Sequence, residues 1–228
     1  MTTTIERAPR IYETSIGKKI LVAVTGLVFL GFVFAHMVGN LKIFLGPTQV
    51  NKYGEFLRDM GEPIFPRSFL LWGLRLVLFV CLVLHVSLTI QLARRSRASR
   101  TTRYVHTDVV QASYASRTMR WGGLAIFLFL IFHLADFTWG IHPHYVRGDI
   151  YANTVSGFER PAVVILYLMA MGALALHIYH GTWSTCQTLG IKRARWDPVI
   201  RRTATALAVI IAGGFSAVPL AVAFGLVR

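Results

Sequence analysis

ILVAVTGLVFLGFVFAHMVGNLKIFL, residues 20–45, is the stretch that decides the fold. A helix crossing the roughly 30 Å hydrocarbon layer of a bilayer needs about 20 mostly apolar residues. This run supplies them, with one basic residue, Lys42, close to its far end. Four more runs of the same kind follow, at 68–93, 121–141, 161–187 and 203–227. The chain therefore reads as an all-α integral membrane protein, five transmembrane helices in one domain spanning residues 1–228. Its composition agrees: 54% of 228 residues are hydrophobic and the mean hydropathy is +0.54, well above an ordinary soluble domain. The first run is too long for the h-region of a cleaved signal peptide, and polar residues precede it. Pro161 suits a first helical turn and Gly190 a helix stop, while Pro219 falls inside the fifth run, where neighbouring helices tolerate it. No internal repeat or second-domain boundary is evident.

A net charge of +14 raises the question of nucleic acid as a partner, but the bases are segregated from the apolar runs. Arg7, Arg10, Lys18 and Lys19 precede the first run. Arg94, Arg95, Arg97, Arg100, Arg103, Arg117 and Arg120 lie between the second and third, and Lys192, Arg193, Arg195, Arg201 and Arg202 between the fourth and fifth. These sixteen cations share one side, and seven lie on the other. The opposite loops are balanced: Lys52, Arg58 and Arg67 against Glu55, Asp59 and Glu62, and Arg147 and Arg160 against Asp149 and Glu159. The positive-inside rule then places the N-terminus in the cytoplasm and the C-terminus outside. Attraction to an anionic cytoplasmic leaflet accounts for the charge, and no nucleic-acid partner is needed.

Each of the first four runs holds one deep histidine: His36, His85, His133 and His177. Ionisable groups inside a bilayer are costly and usually functional. A lone histidine there reads first as a packing residue; four, one per helix, do not. Counting residues to the span ends puts His36 and His133 about 12–14 Å from the outer surface. The same count puts His85 and His177 about 12–15 Å from the inner one. The four thus sort into an outer and an inner pair. Two imidazoles facing each other across a helix bundle are what axial ligation of a haem iron requires, so two pairs imply two stacked haems. A structural zinc site would gather its ligands at one depth, often with cysteine. Gly26, Gly31, Gly39, Gly122, Gly123 and Gly172 would admit porphyrin faces, or simply let helices pack closely. Cys81 and Cys186 can form neither a disulfide framework nor an iron–sulfur site, no CxxCH stretch exists, and both read as packing residues.

The stretches Phe34-Ala-His36-Met-Val-Gly-Asn40, Val83-Leu-His85, Ile131-Phe-His133-Leu and Ala175-Leu-His177-Ile-Tyr-His180-Gly181-Thr-Trp183, with the loop Tyr53-Gly-Glu-Phe-Leu-Arg58, resemble a known family. It is the di-haem cytochrome b membrane anchor of succinate:menaquinone oxidoreductases and quinol:fumarate reductases, and the resemblance runs over essentially the whole chain. It implies a five-helix anchor in a bacterial plasma membrane. A flavoprotein and an iron–sulfur subunit dock on its cytoplasmic side, and the whole complex can form a higher oligomer. It implies two haems b, the proximal on His85 and His177 and the distal on His36 and His133, and menaquinone as bound substrate. Some fumarate-reducing members carry a glutamate two residues before the fourth axial histidine. Here that position is Ala175, which favours the succinate-oxidising direction.

Other residues carry two readings each. Arg75 either pairs with a haem propionate or snorkels to the outer surface. Asp136, three residues after His133, can orient that imidazole or accept a quinol proton; reaching the outer interface is the preferred reading. His180 shares the His177 face and is an alternative ligand, propionate partner or support for the ligand. His106, His142 and His144 read as solvated or interfacial. Asp59 and Glu62, in the outer loop, are candidates for the quinone site because quinone reduction consumes protons; a hydrated acidic loop is the plain alternative. Two rival functions share these features. One is a structural anchor poor in haem, with quinone bound beside the iron–sulfur subunit. The other is the di-haem subunit of another respiratory dehydrogenase. A visible spectrum separates the first and co-purifying subunits the second. The chain holds no nucleotide loop or flavin motif, so it completes no reaction alone.

Overall fold

The computed structural model of the chain describes residues 14–99, 114–191 and 193–228. Arg7, Arg10, Arg100, Arg103, Lys192 and His106 lie outside them, as does the side chain of Arg117. Five helices are long and apolar enough to cross a membrane: α1 (Ser15–Leu41), α3 (Phe69–Ala98), α4 (Tyr114–Phe137), α6 (Pro161–Thr188) and α7 (Asp197–Ala223). Two shorter helices, α2 (Pro47–Asp59) and α5 (Ile150–Phe158), sit in the connections after α1 and after α4. The segment 53–58, read as loop, is therefore helical.

The helices differ from the apolar runs where capping, not hydropathy, sets the end. α1 begins before its apolar run because the Thr14 hydroxyl accepts the Gly17 N–H at 2.9 Å. α3 continues through Arg94–Ala98, where arginines remain good helix formers beyond the apolar segment. α4 stops at Phe137, short of residue 141, and unwinds through Gly140 at φ +66°. α7 starts at Asp197 with Pro198 in its first turn. It ends in a Schellman motif, Gly225 N–H to Val222 carbonyl and Leu226 N–H to Ala221 carbonyl. α6 ends the same way, with Gly190 at φ +72° and Ile191 bonded back to Cys186, as the sequence predicts for Gly190. Pro161 opens α6, and Pro219 is buried inside α7.

Packing is uneven. The closest partners are α6 with α7, α1 with α3, and α4 with α6, and α1 also leans on α6 and α7. Neither α1 with α4 nor α3 with α6 packs closely among the described residues. One core cluster gathers Ile43, Phe158, Val164, Tyr167, Val218 and Val222 where α5, α6 and α7 meet. A second joins Met37 of α1 to Ile178 of α6 and Ala208 and Ile211 of α7. Below, the entry face is the one where α1 begins, and the far face is the one where α7 ends.

Candidate functional site

Both pairings expected from depth appear as ring contacts among the described residues. His36 on α1 meets His133 on α4 with ring centres 6.0 Å apart, and His85 on α3 meets His177 on α6 at 6.3 Å. Each pair thus joins two helices that do not pack closely among the described residues. His180 instead lies against Trp183 of its own helix, 6.0 Å between centres, so His177 is the ring that faces His85.

Two glycines mark a common interval. A Cβ on Gly26 of α1 would stand 3.6 Å from His85 Cε1, and one on Gly123 of α4 would stand 3.9 Å from His177 Cε1. His36 lies ten residues beyond Gly26 (36 − 26), and His133 ten beyond Gly123 (133 − 123). Both helices therefore separate the two histidine levels by about 15 Å of rise. Gly31, Gly122 and Gly172 have nothing within 4 Å of a built Cβ, whereas a Cβ on Gly39 would stand 2.7 Å from the Tyr53 ring. Gly39 thus serves the packing of α2 on α1, not a cofactor face.

The imidazoles are held from behind. His36 stacks on Phe32 (5.4 Å, 9° between planes) and tilts against Phe215. His133 lies between Phe129 and Phe137, and its Nδ1 is 2.9 Å from the Tyr167 hydroxyl. His85 Nδ1 is 3.0 Å from the Thr25 hydroxyl, and His177 Nδ1 is buried with no hydrogen-bond partner among the described residues. Neither Thr25 nor Tyr167 stands out from hydropathy. A signal was present all the same: Thr25 adjoins Gly26, and Tyr167 lies ten residues before His177, one histidine level away.

These residues fit a haem. Metal–imidazole bonds run about 2 Å, so two axial rings on one iron hold their nitrogens about 4 Å apart; ring centres at 6.0 and 6.3 Å suit that separation. A metal-binding imidazole characteristically gives its other N–H to an oxygen, which Tyr167 and Thr25 provide. Among the described residues no group of three or more His, Cys, Asp or Glu gathers round one point. Each site offers two imidazoles, the ligand number an iron needs when a porphyrin supplies the other four.

Several expectations are corrected. Asp136 does not reach the interface. It is 1% exposed and takes both oxygens to Arg160 Nη2, at 2.8 and 2.7 Å, an ion pair that ties the end of α4 to the start of α6. His142 is not solvated: 5% exposed, it packs edge-on to Phe137 and Tyr145. Its pKa is lowered, first by burial, while Asp136 opposes that shift and Arg160 and His144 add to it. His144 is exposed, as expected.

Arg75 is exposed and its guanidinium sits 4.7 Å over the Trp72 ring, the snorkelled arrangement. Cys81 and Cys186 are free and half-buried. The two acidic candidates separate. Asp59 accepts from Arg67 Nε at 2.9 Å within a network that includes Glu55 and Arg58. Glu62 has no such partner among the described residues and lines an open cleft with Pro63, Ile64, Phe65 and Pro66, where Phe65 stacks on Phe69.

Set beside known proteins, the chain matches no family model, no curated protein and no solved structure. What it does rests on the geometry above.

Proposed function

We propose that this chain is a di-haem cytochrome b membrane anchor of the succinate dehydrogenase type, joining a cytoplasmic flavoprotein and iron–sulfur subunit to menaquinone in a bacterial plasma membrane. The observation that carries the reading is the pair of imidazole–imidazole contacts at two levels, drawn from four different helices. His85 and His177 would hold the haem nearer the entry face, and His36 and His133 the one nearer the far face. When bound, the haems supply one-electron carriage between the two levels.

The chain's own residues do the rest. Phe32, Phe129, Phe137 and Phe215 hold the imidazoles in place and keep their surroundings apolar. Charge bias supports a cytoplasmic entry face, where Arg94, Arg95, Arg97, Arg193, Arg195 and Arg202 are exposed to soluble partners. On the far face, Glu62 beside the Phe65–Phe69 stack offers a carboxylate next to an apolar surface, the combination a quinone head and its protons need.

A reduced-minus-oxidised spectrum of the protein purified with whatever subunits accompany it, together with a haem assay, tests the reading. Two haems per chain are expected; a chain without haem would leave a structural anchor. For the quinone site, Glu62→Gln should slow quinone reduction several-fold with both haems still reducible from the soluble side. Asp59→Asn, already committed to Arg67, should not. Unchanged turnover in Glu62→Gln would move the site to the entry face.

A further inference from the structure

The four imidazoles are not equivalent. The Thr25 hydroxyl lies 2.8 Å from the Leu21 carbonyl and 3.1 Å from that of Val22; with its hydrogen given to Leu21, its oxygen accepts from His85 Nδ1 at 3.0 Å. His85 therefore carries its hydrogen on Nδ1 and keeps the Nε2 lone pair for a metal. Tyr167 stands at the same place in the other pair, its oxygen 2.9 Å from His133 Nδ1, and would accept there once Nε2 is given to a metal. Its ring is fixed edge-on between Phe129 (4.7 Å) and Phe158 (4.8 Å) and is 7% exposed. The opposite member of the Thr25 pair, His177, has no partner on Nδ1 among the described residues, and His36 rests between phenyl rings. Each level thus has one supported imidazole: a tyrosine supports it on the far side, a threonine on the entry side.

We infer that Tyr167 and Thr25 are positioning residues that set the two cofactor sites separately, each fixing the tautomer of one axial imidazole and tuning that iron alone. This rests on the di-haem reading. An acceptor on the imidazole N–H makes the ring a stronger base, which favours ferric iron and holds its potential down. Removing the acceptor lets that potential rise. The two hydroxyls stand on different helices at levels about 15 Å apart, so neither substitution reaches the other site.

The experiment is a redox titration of the haem-loaded protein with its native subunits, followed in the visible α band, with paramagnetic resonance of the oxidised form. His133→Ala and His85→Ala assign the two components by deletion. Tyr167→Phe is expected to raise the midpoint of the component lost in His133→Ala and leave the other in place. Thr25→Val should raise only the component lost in His85→Ala, and Thr25→Ser, which keeps the hydroxyl, should titrate like the parent. The two variants sit on separate helices, so either one decides the matter if the other fails to accumulate. Both haems present with both midpoints unmoved, or one variant shifting both components equally, would overturn the inference and leave the di-haem reading intact. A parent protein devoid of haem would instead overturn that reading, and this inference with it.

Discussion

α6 and α7 form a packed spine, whereas α3 and α4 stand at its flanks. In their most apolar windows 33% of α6 and 39% of α7 is buried, against 6% in each of α3 and α4. Lipid exposure accounts for part of the contrast, since an outer helix turns much of its surface to the bilayer. It does not account for His85 and His133, which the flanking helices direct at the better-packed α6 and α1 without close packing between those helices. The difference teaches that α3 and α4 are each held on one side by helix contact, α3 along α1 and α4 along α6, while their histidines turn to the helix they do not pack against.

The hardest test of that contrast removes the histidines. His85→Ala or His177→Ala should abolish one and the same haem, and His36→Ala or His133→Ala the other, read as two loss patterns in a redox titration. A common loss in the His36 and His85 variants would break the pairing. Next, protein made without haem should show amide exchange and proteolysis raised at least tenfold in α3 and α4 while α6 and α7 stay protected. Equal loosening of all five helices would mean the flanks do not depend on the cofactor.

The flanks also differ from each other. α4 is bound to α6 at its far end by the buried Asp136–Arg160 pair, whereas Arg75 of α3 lies over Trp72 of its own helix. Removing one partner of a buried pair costs about 3–5 kcal/mol. Arg160 keeps 35% of its side chain exposed, so Asp136→Ala should fall below that range, about 2 kcal/mol. Arg75→Ala should stay within about 0.5 kcal/mol in the same denaturation assay.

The smallest effect is at the connections. Asp149 caps α5 through the Ala152 N–H at 2.9 Å and also accepts from Asn51 of α2. Those bonds lower its pKa from 3.8, the Ala152 N–H foremost. A depressed carboxylate stabilises the fold above its unfolded pKa, and that contribution is lost as pH falls through the folded value. Asp149→Ala should cost about 1 kcal/mol near neutral pH. The gap between variant and parent should close below about pH 4.

Which histidines share a level was legible in the sequence; direction around each helix was not. Hydropathy fixes where a residue sits along the normal, so the five helices and the levels of His36, His85, His133 and His177 could be read from runs and counts. Asp136 was misplaced because its partner, Arg160, belongs to the next connection, 24 residues on, and no local pattern announces a bond across that distance. His142 was misplaced for a similar reason: it looks interfacial by position, but Phe137 and Tyr145 fold over it. α2 and α5 were hidden because short helices in connections carry no long apolar run, and Asn51, which binds the first N–H groups of α5, is an unremarkable polar residue in the sequence.

The equal interval between Gly26 and His36 and between Gly123 and His133 works as a vernier. A membrane tolerates a span one residue longer or shorter, since tilt absorbs about 1.5 Å. The histidine does not, because one added residue also turns its side chain about 100° around the helix axis. A single alanine inserted between Gly26 and His36 would leave the hydropathy profile unaltered and point the imidazole away from His133. Within that interval, then, a substitution can drift among apolar residues while an insertion or deletion cannot, and the helix is tied to its length by angle rather than by thickness.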